Sequence, residues 1–226
     1  MNKKDRIIIA LDIDKCEKSK NIIRKIDEAT FFKVGLQSFI KFGNELLSLL
    51  HERNKKIFLD LKFFDIPNTV SGAIKSSIKY NPYFLTIHLL GGREMIKSAI
   101  DSANGNTNIV GVSILTSFDD DDLFSIGIKD KTESEVLRLI ELGLKSGLKY
   151  FVCSGIEIEP IRKRFGYDIK LITPGIRPEW SVKGDQKRVL TPKKAIELGS
   201  DYLVIGRPII ESENPLDSFN KIISEI

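Results

Sequence analysis

The chain has few cysteines, which build disulfide frameworks, and few histidines, which together with cysteines hold many metal sites. Two cysteines, Cys16 and Cys153, and two histidines, His51 and His88, occur among its 226 residues. Two cysteines cannot form a network of cross-links, and no His, Cys and Asp group has the spacing of metal ligands. We therefore expect no metal site, and reduced thiols of the kind that are typical of a cytoplasmic protein.

Long apolar runs are also absent from the sequence. No stretch approaches the roughly 18 apolar residues of a membrane-spanning helix. The basic residues 1–6 resemble the start of a signal peptide, but the apolar run that follows, residues 7–11, meets Asp12 at once. We therefore expect neither membrane insertion nor export.

The excess of one charge over the other is small. The chain has 35 Lys and Arg against 31 Asp and Glu, a net charge of +4. Such a diffuse excess suits an anionic substrate but does not indicate nucleic-acid binding. Hydrophobic residues make up 42% of the chain and charged residues 29%, so we expect a globular protein with a sizeable core, and one domain over residues 1–226.

Short apolar runs alternate with longer amphipathic stretches. In segments such as 37–53 and 133–145, Leu and Ile recur three and four apart, which is typical of a helix that covers a sheet. Eight strand-like runs separate these segments: residues 6–12, 30–35, 56–62, 84–90, 108–115, 150–155, 170–175 and 202–207. Eight strand and helix repeats indicate an α/β fold with parallel strands, closed into a (β/α)8 TIM barrel. An open doubly wound sheet is the alternative, but it usually carries a glycine-rich turn after its first strand, and none follows here.

Charged residues lie at the ends of several predicted strands, which is where a barrel builds its active site. Asp12 ends the first run and Lys33 lies in the second. Asp60 and Lys62 end the third and share one face, because side chains two apart on a strand point the same way. An isolated ion pair would explain these two residues, but Lys33 and the following Asp65 favour a functional array. Flanking carboxylates favour a charged Lys62, which suits a fixed cation or proton donor and not Schiff-base chemistry.

The last two predicted strands end in residues that could bind phosphate. They carry Pro174-Gly175 and Gly206-Arg207, and phosphate sites are frequent after the seventh and eighth strands of barrels. Glycine lets backbone N–H groups approach an anion closely, and the arginine guanidinium can donate two parallel hydrogen bonds to phosphate. The intervening residues 176–187 are long and polar enough to be a lid, and an ordinary surface loop fits them equally well.

Residues 58–70 resemble a known family. Their sequence, FLDLKFFDIPNTV, is similar to the charged strand end and following helix start of the bacterial orotidine 5'-phosphate decarboxylases. Shorter matches follow in the predicted strand order: ALD at 10–12, KVG at 33–35, IH at 87–88 with GG at 91–92, LTS at 115–117, VCS at 152–154, TPGIRP at 173–178, GDQ at 184–186 and VIGRP at 204–208. The resemblance therefore covers the whole chain.

This resemblance implies a cofactor-free barrel enzyme that converts orotidine 5'-monophosphate to uridine 5'-monophosphate (UMP) and CO2, the last step of de novo UMP biosynthesis. Lys62 would protonate C6 of the pyrimidine within an array of charges whose other members are Lys33, Asp60 and Asp65. The enzyme would be a homodimer in which Asp65, Ile66 and Thr69 reach the partner's site. The remaining substrate-binding residues would be Asp12, Thr116, Pro174, Arg177, Gln186, Gly206 and Arg207.

Some residues depart from the family pattern, and two rival functions are open. Phe64 stands where related sequences often have His, and Trp180 in the possible lid is unusual, which bears on packing and lid behaviour more than on the reaction. Metal-dependent sugar-phosphate barrels, such as 3-keto-L-gulonate 6-phosphate decarboxylase and hexulose phosphate synthase, share an Asp-x-Lys-x-x-Asp strand end. A catalytically silent nucleotide-binding barrel is the other rival, and the intact set Asp60, Lys62 and Asp65 argues against it.

Overall fold

The computed structural model describes residues 1–181 and 190–226. Eight parallel strands pair in chain order, and the first also pairs with the last, so the sheet closes on itself. The strands are β1 (Ile7–Ala10), β2 (Phe31–Gly35), β3 (Lys56–Phe63), β4 (Phe84–His88), β5 (Asn108–Val112), β6 (Tyr150–Val152), β7 (Lys170–Thr173) and β8 (Tyr202–Ile205). The predicted (β/α)8 barrel, a single domain, is confirmed.

Helices follow the strands and cover the outside of the barrel. They are α1 (Cys16–Lys25), α2 (Leu36–Glu52), α3 (Pro67–Ile78), α4 (Gly92–Ala103), α5 (Asp120–Ser125), α6 (Thr132–Lys145), α7 (Ile158–Phe165), α8 (Pro192–Glu197), α9 (Arg207–Ile210) and α10 (Pro215–Glu225). Their apolar faces pack on the outward residues of the strands and form the larger of two hydrophobic clusters. None of the helices in the described part of the chain is long and apolar enough to cross a membrane.

The predicted strands begin within one residue of the observed ones, but most of them extend too far at the carboxyl end. The run 108–115, for example, continues three residues past the end of β5 at Val112. The apolar character persists there because Ile114 and Leu115 line a cavity above the strand instead of pairing in the sheet. The ends of the predicted strands therefore include part of the site.

Aromatic rings fill the barrel interior near the amino ends of the strands. The ring of Phe84 lies 5.7 Å from those of Phe31 and Phe58 and 5.3 Å from that of Tyr202. Lys56 Nζ lies 4.5 Å from the centre of the Tyr83 ring in the same region. This packed aromatic floor closes one end of the barrel and leaves the other end available for a site.

Polar residues replace the aromatic rings one layer higher. Because inward side chains recur every second residue of a strand, the phenylalanines of the floor are followed by three polar inward residues: Lys33 in β2, Asp60 in β3 and Thr86 in β4. All three are buried, with relative exposures of 8%, 9% and 0%. The barrel interior therefore changes from an apolar floor to a charged layer within two residues.

Candidate active site

A cavity of about 440 Å³ opens above this charged layer, at the carboxyl ends of the strands. Its volume lies within the range of small-molecule sites. The predicted site residues that line it are Asp12, Lys33, Asp60, Lys62, Thr116, Pro174, Arg177, Gly206 and Arg207. Gln186, and with it the second half of the possible lid, lies outside the described residues.

Four of these residues form a row of alternating charge across β1, β2 and β3. Lys33 Nζ lies 2.9 Å from Asp12 Oδ1 and 3.4 Å from Asp60 Oδ2. Lys62 Nζ donates a hydrogen bond to Asp60 Oδ1 at 2.8 Å. The order is therefore Asp12, Lys33, Asp60, Lys62, and each buried charge has an opposite charge beside it.

Mutual pairing keeps the two buried members of the row ionised. Burial opposes the charge of Asp60, but Lys33 and Lys62, together with hydrogen bonds from Lys62 and Thr86, hold the pKa of this carboxyl below its usual value. Burial also opposes the charge of Lys33, and the carboxylates of Asp60 and Asp12 outweigh it and raise the pKa of the ammonium. The centre of the row is therefore a carboxylate held between two lysines.

Lys62 lies in an irregular part of β3. Leu59 pairs with Leu85 and Phe63 pairs with Ile87, so four steps along β3 match only two along β4. The extra residues form a bulge, in which Lys62 has a φ of 49°. A left-handed backbone costs a non-glycine residue on the order of 1–3 kcal/mol. The other described non-glycine residues with a positive φ are all asparagines, which tolerate this conformation better than lysine. The bulge turns the Lys62 ammonium towards Asp60 at the cavity wall.

Gly35 makes room for the pair between Lys33 and Asp12. A Cβ atom at this position would lie 2.7 Å from Asp12 Oδ1 and 3.1 Å from Lys33 Nζ. Since the first distance is far below normal contact, any side chain here would displace the carboxylate. The motif Lys33-Val34-Gly35 therefore carries a steric requirement in addition to its charge.

The residues expected to serve a partner subunit lie at the rim of the barrel and do not line this cavity. Asp65, Ile66 and Thr69 are exposed, with 67% relative exposure for Ile66. Within the described part of the chain Asp65 forms no ion pair, and its Oδ1 accepts a hydrogen bond from the backbone N–H of Ile66 at 2.7 Å. Asp65 therefore does not join the row of charges within one chain.

Two arginines line the cavity after the last two strands. Arg177 follows β7 and is only 6% exposed, and Arg207 is the first residue of α9, directly after β8. The backbone N–H of Arg177 donates to the carbonyl of Leu190 at 2.9 Å. This bond ties together the two described segments that flank residues 182–189.

Trp180, in the described half of the possible lid, contacts the last helix. Trp180 Nε1 donates to Glu225 Oε1 at 2.5 Å, and Lys221 Nζ lies 4.6 Å from the centre of the indole ring. At the other unusual position, the Phe64 ring lies 5.5 Å from the ring of His88 at an angle of 33°. Both departures from the family pattern therefore have packing partners.

Sequence reasoning missed some residues that shape the site. Val112, Ile114 and Val152 form apolar wall, and Thr86 contacts two members of the charged row. The inward period of two residues could have identified Thr86, because it lies between Phe84 and His88 on the same face of β4. The three apolar wall residues could not have been distinguished from ordinary core residues by sequence pattern alone.

His88 should make the stability of the fold sensitive to acid. Burial, and then the nearby charge of Lys62, lower the pKa of His88 in the folded state. As the pH falls through about 6.5, the unfolded chain gains a proton that the folded chain resists, so the free energy of unfolding decreases. We expect urea unfolding between pH 7.5 and 5.5 to show this decrease and His88→Gln to reduce it. His51→Gln alters the other histidine, which is exposed, and an equal reduction in that variant would contradict the assignment.

Comparisons with known proteins agree with the resemblance seen in the sequence. The family model "Orotidine 5'-phosphate decarboxylase / HUMPS family" matches residues 5–222. Orotidine 5'-phosphate decarboxylase from Gloeothece citriformis is 39% identical, over 98% of this chain and 97% of that protein. The enzyme of the same name from Pasteurella multocida is 43% identical, over 96% and 95%.

Solved structures agree in fold. The crystal structure of orotidine 5'-phosphate decarboxylase from Lactobacillus acidophilus superposes with a TM-score of 0.86 at 35% identity, covering 98% of each chain. An uncharacterized conserved protein from Geobacillus kaustophilus gives a TM-score of 0.85 at 30% identity, over 97% of this chain and 99% of that one. Since the family model and the relatives span nearly the whole barrel, this chain belongs to the orotidine 5'-phosphate decarboxylase / HUMPS family.

Proposed function

We propose that this protein decarboxylates orotidine 5'-monophosphate to UMP and CO2, the last step of de novo UMP biosynthesis. The observation that carries the proposal is the ammonium of Lys62, held 2.8 Å from the buried carboxylate of Asp60 at the wall of the cavity. The names of the similar proteins support the choice of substrate. We also propose a cytoplasmic location, which agrees with two free cysteines.

The chemistry requires a cation that is in place before the reaction. When the bond between C6 and the carboxylate breaks, its electron pair stays on C6 in the plane of the ring, where no neighbouring carbonyl can delocalise it. A fixed ammonium stabilises this charge as it develops. Lys62 then transfers a proton to C6, which forms UMP, and water reprotonates the lysine. These steps call on side chains alone, so we propose that no cofactor or metal takes part.

Asp60 holds Lys62 for this reaction. Its Oδ1 accepts the hydrogen bond from the Lys62 ammonium, and its Oδ2 faces Lys33. In our proposal the substrate carboxylate approaches this ionised side chain, so Asp60 would both orient the lysine and repel the carboxylate before CO2 leaves. Repulsion would act on the bound substrate, whereas orientation acts on Lys62. Both effects require Asp60 to be ionised, which agrees with the lowered pKa of its carboxyl.

The rest of the cavity would hold the nucleotide. Asp12 and Lys33 would bind the ribose, and Thr116 would meet the base. The base and phosphate side would be bound by Pro174, Arg177, Gln186, Gly206 and Arg207. Binding of the remote phosphate supplies free energy that positions the pyrimidine, so truncated substrates should lose rate as well as affinity.

We propose that the active unit is a homodimer, with Asp65, Ile66 and Thr69 completing the partner's site. The exposure of these residues supports this, because a monomer would leave Ile66 and its neighbour Phe64 in water at 67% and 59% exposure. Asp65 also lies close in sequence to Lys62 without pairing with it. A second subunit would bury the apolar side chains and supply the carboxylate.

The absorbance change of orotidine monophosphate, followed with purified protein, tests the proposed function. We expect turnover that is unaffected by a chelator. The family description also includes HUMPS proteins. A metal-dependent sugar-phosphate enzyme should instead lose rate when a chelator is added. No turnover of orotidine monophosphate with correctly folded protein would refute the proposal.

Arg207→Ala should weaken phosphate-bearing ligands selectively. Charge-assisted hydrogen bonds contribute about 1.5–3 kcal/mol each, so UMP should bind roughly 10- to 100-fold more weakly while uridine binds as before. Calorimetric titration of both ligands measures the difference. Arg164→Ala removes an arginine that pairs with Glu141 on the surface and should change neither affinity; equal losses of UMP and uridine in Arg207→Ala would remove Arg207 from the phosphate site.

A further inference from the structure

Thr86 connects Asp60 and Lys62, the last two residues of the charged row. It is fully buried on the inward face of β4. Its Oγ1 accepts a hydrogen bond from the backbone N–H of Lys62 at 2.8 Å and donates one to Asp60 Oδ1 at 3.1 Å. The same Asp60 oxygen accepts the hydrogen bond from Lys62 Nζ. Both the backbone and the side chain of Lys62 are therefore tied to a single pair of residues.

The bulge of β3 explains why a hydroxyl is needed at this position. Where β3 and β4 lose their register between Leu59 and Phe63, the Lys62 N–H donates to the side-chain hydroxyl of Thr86 in β4. A buried N–H without an acceptor is costly. The Thr86 hydroxyl supplies that acceptor and so stabilises the left-handed backbone of Lys62.

Packing alone does not require this hydroxyl. Valine has nearly the same shape as threonine and would fill the same space between the aromatic floor and the cavity, but it can neither accept from Lys62 nor donate to Asp60. Thr86 itself is not among the residues that line the cavity. Its hydroxyl contacts Lys62 and Asp60, the two residues to which the proposed chemistry is assigned.

We propose that Thr86 is a positioning residue, which fixes the Lys62 ammonium by holding the bulge and the Asp60 carboxylate in one geometry. This inference rests on the proposed function of the same site. Loss of the hydroxyl should leave the cavity able to bind nucleotide and should displace the proton donor by a fraction of an ångström. The effect should therefore fall on kcat and not on KM, because small misplacements of a reacting group reduce rate steeply.

Steady-state kinetics of Thr86→Val and Thr86→Ser test the proposal. For Thr86→Val we expect kcat to fall about 10- to 100-fold while KM changes less than about threefold. Thr86→Ser keeps the hydroxyl and should retain most of kcat despite losing a methyl group. A merely structural role would give the reverse order, since valine preserves the packing and serine does not. Wild-type kcat in Thr86→Val, or a serine variant as slow as the valine variant, would overturn the proposal.

Amide hydrogen exchange provides a second readout that does not depend on turnover. In Thr86→Val the N–H of Lys62 should exchange faster than in the wild type, while amides of β8 remain protected. If Thr86→Val does not fold, Thr86→Ala and Thr86→Ser provide the same comparison. Should the wild type fail to act on orotidine monophosphate, the proposed function fails, yet exchange at Lys62 still decides the role of Thr86. Unchanged exchange at Lys62 would contradict that role.

Discussion

Lys62→Ala is expected to reduce turnover of orotidine monophosphate by at least about 10⁴-fold, because two contributions are lost together. A positioned general acid contributes about 10²–10⁴ in rate, and one preorganised charge-stabilising donor about 10²–10³. Among the described residues that line the cavity, Lys33 is the other lysine, and it is held between Asp12 and Asp60. Single-turnover absorbance measurements would quantify the remaining rate.

Two controls separate this catalytic effect from a loss of structure. Lys56→Ala removes another lysine from the same strand, at the opposite end of the barrel, where its Nζ contacts the rings of Phe31 and Tyr83. We expect this variant to lose some stability and to keep its kcat. Lys62→Ala should still bind UMP, because the residues proposed to bind phosphate are intact. A residual rate within tenfold of wild type would contradict the assignment of Lys62 as the proton donor.

The spacing of hydrophobic residues along the sequence was sufficient to predict the barrel. Parallel strands that are buried on both faces appear as short apolar runs, and the helices between them repeat every three to four residues, so the eight units could be counted. Charged residues at the strand ends predicted Asp12, Lys33, Asp60 and Lys62 as candidate site residues. An ionised group in an apolar strand is costly unless it is paired, so charges at such positions stand out in the sequence.

The geometry within the charged layer could not be predicted in this way. A strict alternation along β3 places Asp60 and Lys62 on one face but does not reveal the bulge or the φ of 49° at Lys62. These depend on how β3 and β4 fit together, which involves residues distant in sequence. Thr86 was missed because a threonine in a strand is ordinary by propensity, and its importance comes only from its two partners.

Mixing two inactive variants is expected to restore activity if the catalytic unit is the dimer. Asp65→Asn removes the carboxylate charge but keeps an oxygen that can accept from the Ile66 N–H, as Asp65 does now. In a heterodimer of Lys62→Ala and Asp65→Asn, one site combines the intact Lys62 of one chain with the intact Asp65 of the other. After random subunit exchange, half of the dimers are mixed and each has one complete site, so we expect about a quarter of the wild-type rate per site.

A matched mixture tests whether the two residues come from different chains. Lys62 and Asp60 contact each other within one chain at 2.8 Å, so a mixture of Lys62→Ala and Asp60→Ala has no complete site in any combination and should stay inactive. Tagged subunits would verify that exchange has occurred in both mixtures. If Asp65 served its own chain's Lys62, the first mixture would be as inactive as the second. Recovery in the first mixture alone would mean that the exposed carboxylate at the barrel rim acts in the site of the neighbouring subunit.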